Sequence, residues 1–396
     1  MFTRNIKSIN FSQLDSFIII CLLISVVQAI VGNLTNVNAF YFIPLILVFY
    51  TMFHFQLLLK DMSLIAIFNI FALLIFLVIS FFSNFELDKE FSYQLYFFSC
   101  YFLVSILSRG LQFNPDDVKL LLLGWSVFSL FSLIIHFFMW EEVAVLFYFK
   151  ENEFGGLLMD GTYKRLYSVL LNPLSTAFVS VYLLALLMIL NYKNFFLLCF
   201  ITLIGVLALS RTSLICMAML WGLFLFSGKY YKTLYIVTFS LLLFLGVNDS
   251  LQMIIVNTFT GNDTTGSAVE HYSNLAIGAE YIFTMTGNGF VNAQDYGGWN
   301  IRLESTPLQF AFTGGFFPFM SVVIIVFLST FKILKQFGLI SALMYLTTLP
   351  ILIFFPLHTF SFPVVVFFLL SNCWLFKKFL YQNVKITKAA KNQYAV

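Results

Sequence analysis

Apolar runs long enough to cross a bilayer recur along almost the whole chain, and nothing else in it limits the fold so strongly. A hydrocarbon core is crossed by about 20 apolar residues in a helix. Repeated apolar runs of this length point to membrane helices. Composition agrees. The chain is 61% hydrophobic and 10% charged, whereas a soluble domain is about a quarter charged. The expected fold class is all-α, a polytopic transmembrane helix bundle of about twelve spans.

The predicted spans run over 16–32, 39–56, 63–82, 91–108, 119–139, 167–190, 194–210, 212–228, 233–247, 306–329, 338–355 and 359–376. Together, residues 1–396 read as a single integral membrane domain. The N-terminal segment is basic and then apolar, without a clear small-residue cleavage site, and is read as a retained first helix. Cys21, Cys100, Cys199, Cys216 and Cys373 are scattered within apolar runs. They read as buried small residues, not as a disulfide framework or a metal site.

One charge decides a boundary. From Asn194 to Gly228 the only charged residue is Arg211. A single span there is far longer than a bilayer needs, and two spans place the arginine at their shared turn. The positive-inside rule agrees. With both termini in the cytoplasm, most Lys and Arg lie inside; only Lys89, Lys150, Lys164, Arg165, Arg211 and Arg302 lie outside. Keeping one span would put the basic tail, 377–396, on the opposite side from Lys193. Two external segments are longer than connections need to be, 140–166 and 248–305, and long loops are usually functional. The larger one carries a predicted helix over 268–285, stopped by Gly287 and Gly289. Net charge is small and follows topology, so it gives no reason to expect nucleic acid.

The three external arginines, Arg165, Arg211 and Arg302, all fall where a span meets the outer surface. Snorkelling to lipid headgroups explains each one singly. Lysine would serve that purpose equally, however. Arginine instead offers a planar fork that grips phosphate oxygens and does not deprotonate. Arg211 also opens a helix, where free N–H groups and the dipole favour anions. Ser210, Thr212 and Ser213 add hydroxyls beside it. Glu304 reads either as a first-turn helix residue ahead of Pro307 or as a base for a sugar hydroxyl. His271 is a weaker candidate base. Tyr272, Tyr281, Tyr296 and Trp299 are either an interfacial aromatic belt or stacking platforms for sugar rings.

In order along the chain come Arg165 ahead of Asn172-Pro173, the "SRTS" arginine Arg211, the loop-closing Gly287-Asn288-Gly289, and Glu304 followed by "PLQFAFTGGFFPF". This series resembles the O-antigen polymerase and O-antigen ligase superfamily over roughly residues 160–330. The resemblance implies a metal-independent glycosyltransferase with no cofactor. It would polymerise undecaprenyl-pyrophosphate-linked repeat units into O-antigen, capsule or exopolysaccharide at the outer face of the bacterial inner membrane. It implies pyrophosphate binding by Arg165, Arg211 and Arg302, and catalytic roles for Glu304, Arg211 and His271. Membrane lipids and a chain-length regulator protein are the further partners it implies. Ligases carry a histidine near the loop's closing end; Glu304 stands there in this chain, as in polymerases. An O-antigen ligase and a polysaccharide flippase remain the alternatives.

Overall fold

The computed structural model describes residues 93–101, 115–140, 159–160, 163–166, 172–192, 194–226, 275–285, 287–288 and 303–376. The predicted spans at 16–32, 39–56, 63–82 and 233–247 lie outside them, as do most of both external segments and the basic tail.

What is described is mainly helical, with one short antiparallel pairing of β1 (Met159–Asp160) with β2 (Tyr163–Lys164). The helices are α1 (93–101), α2 (Pro115–Phe138), α3 (Pro173–Ile189), α4 (Phe195–Leu207), α5 (Arg211–Phe226) and α6 (275–280). They continue with α7 (Thr306–Gly314), α8 (Phe316–Phe337), α9 (Leu339–Leu346), α10 (Leu349–Phe354) and α11 (Ser361–Ser371). A short 3-10 turn, Leu357–Thr359, links α10 to α11.

Local chemistry starts and stops them. Asn172 caps α3, its Oδ1 accepting from the N–H of Leu174 at 2.8 Å and of Ser175 at 3.4 Å, with Pro173 supplying a preset φ. The Asn-Pro pair is therefore a helix-starting device. Asn194 caps α4 the same way through Leu197 N–H at 3.2 Å. Asn191, at φ 56°, turns the chain between α3 and α4, a conformation Asn tolerates better than most residues. Pro350 lies in the first turn of α10, and Pro363 near the start of α11. These two prolines thus lie in the opening turns of their helices and do not interrupt them.

The central element is α3, nearly every side chain of which is buried. It packs on α4, α5, α9 and α11. Small residues let the helices approach, as they do where packing rather than solvent exclusion holds helices together. At Gly205 a Cβ would meet Ser180 Cβ at 3.0 Å and run into the Met217 side chain. α4 and α5 form an antiparallel pair, tied by Trp221 Nε1 donating to Thr202 Oγ1 at 2.9 Å. The turn between them covers Ala208–Ser210. The expected division at Arg211 is therefore present, with helices of 13 and 16 residues.

Three spans depart from expectation. The 306–329 span is two helices, α7 and α8, broken at Gly315, whose φ of 75° and ψ of −153° suit only glycine. The 338–355 span is likewise divided at Thr347–Thr348. In the 167–190 span, α3 starts at Pro173 behind its cap Asn172, and Arg165 and Leu166 ahead of the span are not helical.

α8 has 22 residues and is apolar enough to cross a membrane, with a rise of about 33 Å. Its outward side carries Val323, Phe327, Phe331 and Leu334, all exposed, Phe327 by 67%. α2 shows the same habit at Leu130, Phe131, Ile134 and Phe137. Helices this apolar on their outer faces suit a lipid surround. At the far end of α8, Lys332 Nζ stands 3.7 Å from the centre of the Trp374 ring, a cation–π contact.

Candidate functional site

Two groups of polar residues lie at one end of the bundle, on either side of α3. The first gathers on the turn between α4 and α5. Leu166 N–H donates to the Leu207 carbonyl at 2.9 Å, so the segment after β2 runs beside the end of α4. Arg165, half-buried, then directs its Nε to the Ala208 carbonyl at 3.1 Å. That carbonyl belongs to the C-cap of α4, where helix acceptors lack intrahelical partners. A cation there is favoured by the dipole as well. Trp140, at the end of α2, fixes the same segment by donating Nε1–H to the Arg165 carbonyl at 3.2 Å. Both ends of the 140–166 segment are thereby joined.

Three residues past Ala208, Arg211 is the first residue of α5 and is exposed. The Ser210 carbonyl accepts from Leu214 N–H, as an N-cap residue's does. Yet the Ser210 hydroxyl caps nothing: it is buried and without a hydrogen-bond partner, and so is that of Ser213. A buried hydroxyl left unpaired costs about 1–3 kcal/mol. Between Ala208 and Ser210, Leu209 sits at φ 52°, a left-handed conformation unfavourable for leucine. Strain and unsatisfied hydroxyls thus concentrate at this one turn.

The second group lies along α7. Ser305 is its N-cap, with Oγ 3.5 Å from Leu308 N. Glu304 therefore stands just before the cap, half-buried, and not within the first helical turn as expected. Thr306, Gln309 and Thr313 form a polar seam along one face. Thr306 Oγ1 donates to the Phe355 carbonyl at 3.1 Å and lies 3.2 Å from His358 Nδ1. Gln309 Oε1 accepts from Leu303 N–H at 3.1 Å. Thr313 pairs with Gln94 of α1, whose Nε2 donates to Thr313 Oγ1 at 2.9 Å. All these side chains are buried.

The two groups flank the N-terminal half of α3. Ser180 faces Gly205, near the end of α4. Two residues earlier and so on the opposite side of α3, Phe178 packs on Phe355 and Phe360 at ring separations of 4.9 and 5.4 Å. Phe355 is the carbonyl partner of Thr306. Arg165, Arg211 and Glu304 accordingly sit at the same end of the helices.

A third feature joins two of the glycine motifs. Asn288 N–H donates to the Phe312 carbonyl and Phe316 N–H to the Thr284 carbonyl, both at 2.7 Å. Gly287, at φ 57°, crosses Gly315 so closely that a Cβ on it would meet Gly315 N at 2.5 Å. The loop-closing glycine and the glycine pair of α7–α8 are one backbone clasp. It also corrects the expected 268–285 helix: α6 ends at 280, and Gly287 serves the clasp instead of stopping a helix. Tyr281 packs edge-on against Phe312 at 5.0 Å, so its ring is engaged in the fold.

Arg302 and His271 lie outside the described residues, as do Tyr272, Tyr296 and Trp299. The structure brings together Arg165 and Arg211, and places Glu304 at the same bundle end. His358 and the Thr306–Gln309–Thr313 seam are not among the residues expected from sequence, although three polar residues spaced along one face of an apolar helix mark such a seam. Beside it, an apolar groove of about 360 Å3 begins at Pro307 and runs between α8 and the α9–α10 pair. Compared with known proteins, the chain matches no family model, no curated protein and no solved structure.

Proposed function

We propose that this chain is a multi-pass protein of the bacterial inner membrane, with both termini in the cytoplasm. It polymerises undecaprenyl-pyrophosphate-linked oligosaccharide repeat units at the outer face. The acceptor's terminal hydroxyl oxygen bonds to the anomeric carbon of the donor glycan. The bond from that carbon to pyrophosphate breaks, and undecaprenyl pyrophosphate departs with the electron pair. The hydroxyl proton goes to Glu304. Arg211, with Arg165 and Arg302, stabilises charge growing on the diphosphate, and groups placed for that purpose commonly contribute about 10²–10³ in rate each. The apolar groove at Pro307 offers the isoprenoid tail a surface of its own chemistry.

The observation that carries this is the α4–α5 turn. Arg165 is bonded to it and Arg211 opens the helix beyond it. Two buried seryl hydroxyls there lack partners. An anion with several oxygens answers all of these at once. A second function has its own support: α7–α8 and α9–α10 are interrupted helices, a device that transporters use at substrate sites. The two are separated in membranes containing the chain, using lipid-linked repeat units extracted from cells that lack it. A polymerase lengthens the glycans, a flippase only relocates them, and a ligase moves them to a different lipid acceptor.

A further inference from the structure

The Thr306 hydroxyl meets three polar groups at once. The Phe355 carbonyl oxygen is at 3.1 Å, His358 Nδ1 at 3.2 Å and the His358 backbone N at 3.4 Å. A hydroxyl has one hydrogen to give, and a carbonyl has none. Thr306 Oγ1 is placed to donate to the Phe355 carbonyl; with its hydrogen so used, its contact with His358 Nδ1 is a hydrogen bond in the tautomer that carries hydrogen on Nδ1. Thr306 N–H donates to the same Phe355 carbonyl at 3.2 Å. His358 is fully buried, with Phe310 edge-on at 5.4 Å and Tyr93 at 6.4 Å. Ser305 already caps α7, so the helix needs no second device to begin. Placing a ring N–H and a hydroxyl in an apolar core costs desolvation that an aliphatic pair would avoid. What the polar pair adds is direction. It fixes the first helical residue of α7, two residues after Glu304, against the turn between α10 and α11.

We infer that His358 is a positioning residue: its Nδ1–H holds the Thr306 hydroxyl, and Thr306 holds the start of α7 so that Glu304 is presented to the acceptor sugar. This rests on the base role proposed for Glu304. The test uses membranes with the full chain and, as probe, lipid-linked repeat units extracted from cells lacking it. An asparagine amide N–H falls near the place of Nδ1, whereas a glutamine amide falls near Nε2. His358→Asn and Thr306→Ser are expected to keep wild-type turnover. His358→Gln and Thr306→Val are expected to lower kcat by about 10–100-fold with KM unchanged, the scale of a misplaced reacting group. The double variant His358→Gln/Thr306→Val should lose no more than the worse single change, because the two act as one unit.

Wild-type turnover by Thr306→Val, or equal turnover by His358→Gln and His358→Asn, overturns the inference. So does a loss confined to KM or to the amount of folded protein. If His358→Gln does not fold, the contrast of Thr306→Val with Thr306→Ser decides the matter in its place. Wild-type membranes that lengthen no glycan would instead overturn the polymerase function, and this inference with it.

Discussion

Gly315→Ala strikes the point where two separate glycine motifs touch, and its effect follows from the backbone. At φ 75° and ψ −153° an L side chain is strained by about 1–3 kcal/mol. The new Cβ would also press on the Thr284 carbonyl oxygen, meet Gly287 N at 2.8 Å and meet the Met285 carbonyl carbon at 2.9 Å. All three are backbone atoms, so none can rotate aside. The clasp must open, and its two 2.7 Å hydrogen bonds go with it, each contributing about 0.5–1.5 kcal/mol net. The expected cost is about 2–6 kcal/mol. Gly338→Ala is the control. Gly338 also has a positive φ, 89°, but a Cβ there meets nothing within 4 Å, leaving only the conformational strain. The assay is chymotryptic cleavage of purified protein in detergent, followed with its melting temperature. Gly315→Ala should expose a site at Tyr281, which packs on Phe312 in the clasp, whereas Gly338→Ala should lower the melting temperature without exposing it. If the two variants are cut alike, or Gly315→Ala resists as wild type does, the clasp is not held as described.

Further outcomes follow from other elements. Asn172→Ala removes the cap of α3 and should cost about 1 kcal/mol in thermal unfolding, with Asn172→Ser restoring most of it. Leu209→Gly relieves a left-handed leucine and should raise the melting temperature by an amount equivalent to about 1 kcal/mol, while Leu209→Val should lower it. Gly205→Val forces side chains into the Ser180–Met217 contact and should destabilise by about 1–3 kcal/mol; an unchanged melting temperature would mean that α3, α4 and α5 are not so closely packed.

How much is legible in sequence depends on the kind of signal. The α4–α5 division is readable because a lone arginine in a long apolar stretch is costly anywhere but at a membrane surface. The same reasoning fails at Gly315, since apolarity runs unbroken through "FAFTGGFFPF" and hydropathy does not register a glycine backbone angle. It fails again for α6, where Gly287 reads as a helix stop although its neighbour in space is Gly315. Sequence places Arg165 at the entry of a helix. Long-range pairing of Leu166 with Leu207 decides its real position, and no local pattern announces that. His358 gives no local sign of its role because its partner lies 52 residues away.

The most direct measurement is the length of surface polysaccharide on a gel, in cells whose own copy is replaced by Arg211→Lys or Arg211→Ala at equal expression. Planar, two-pronged contact with a diphosphate requires both variants to leave single repeats, lysine included. A normal ladder from Arg211→Lys and Arg211→Ala alike would show that no diphosphate is gripped at the start of α5.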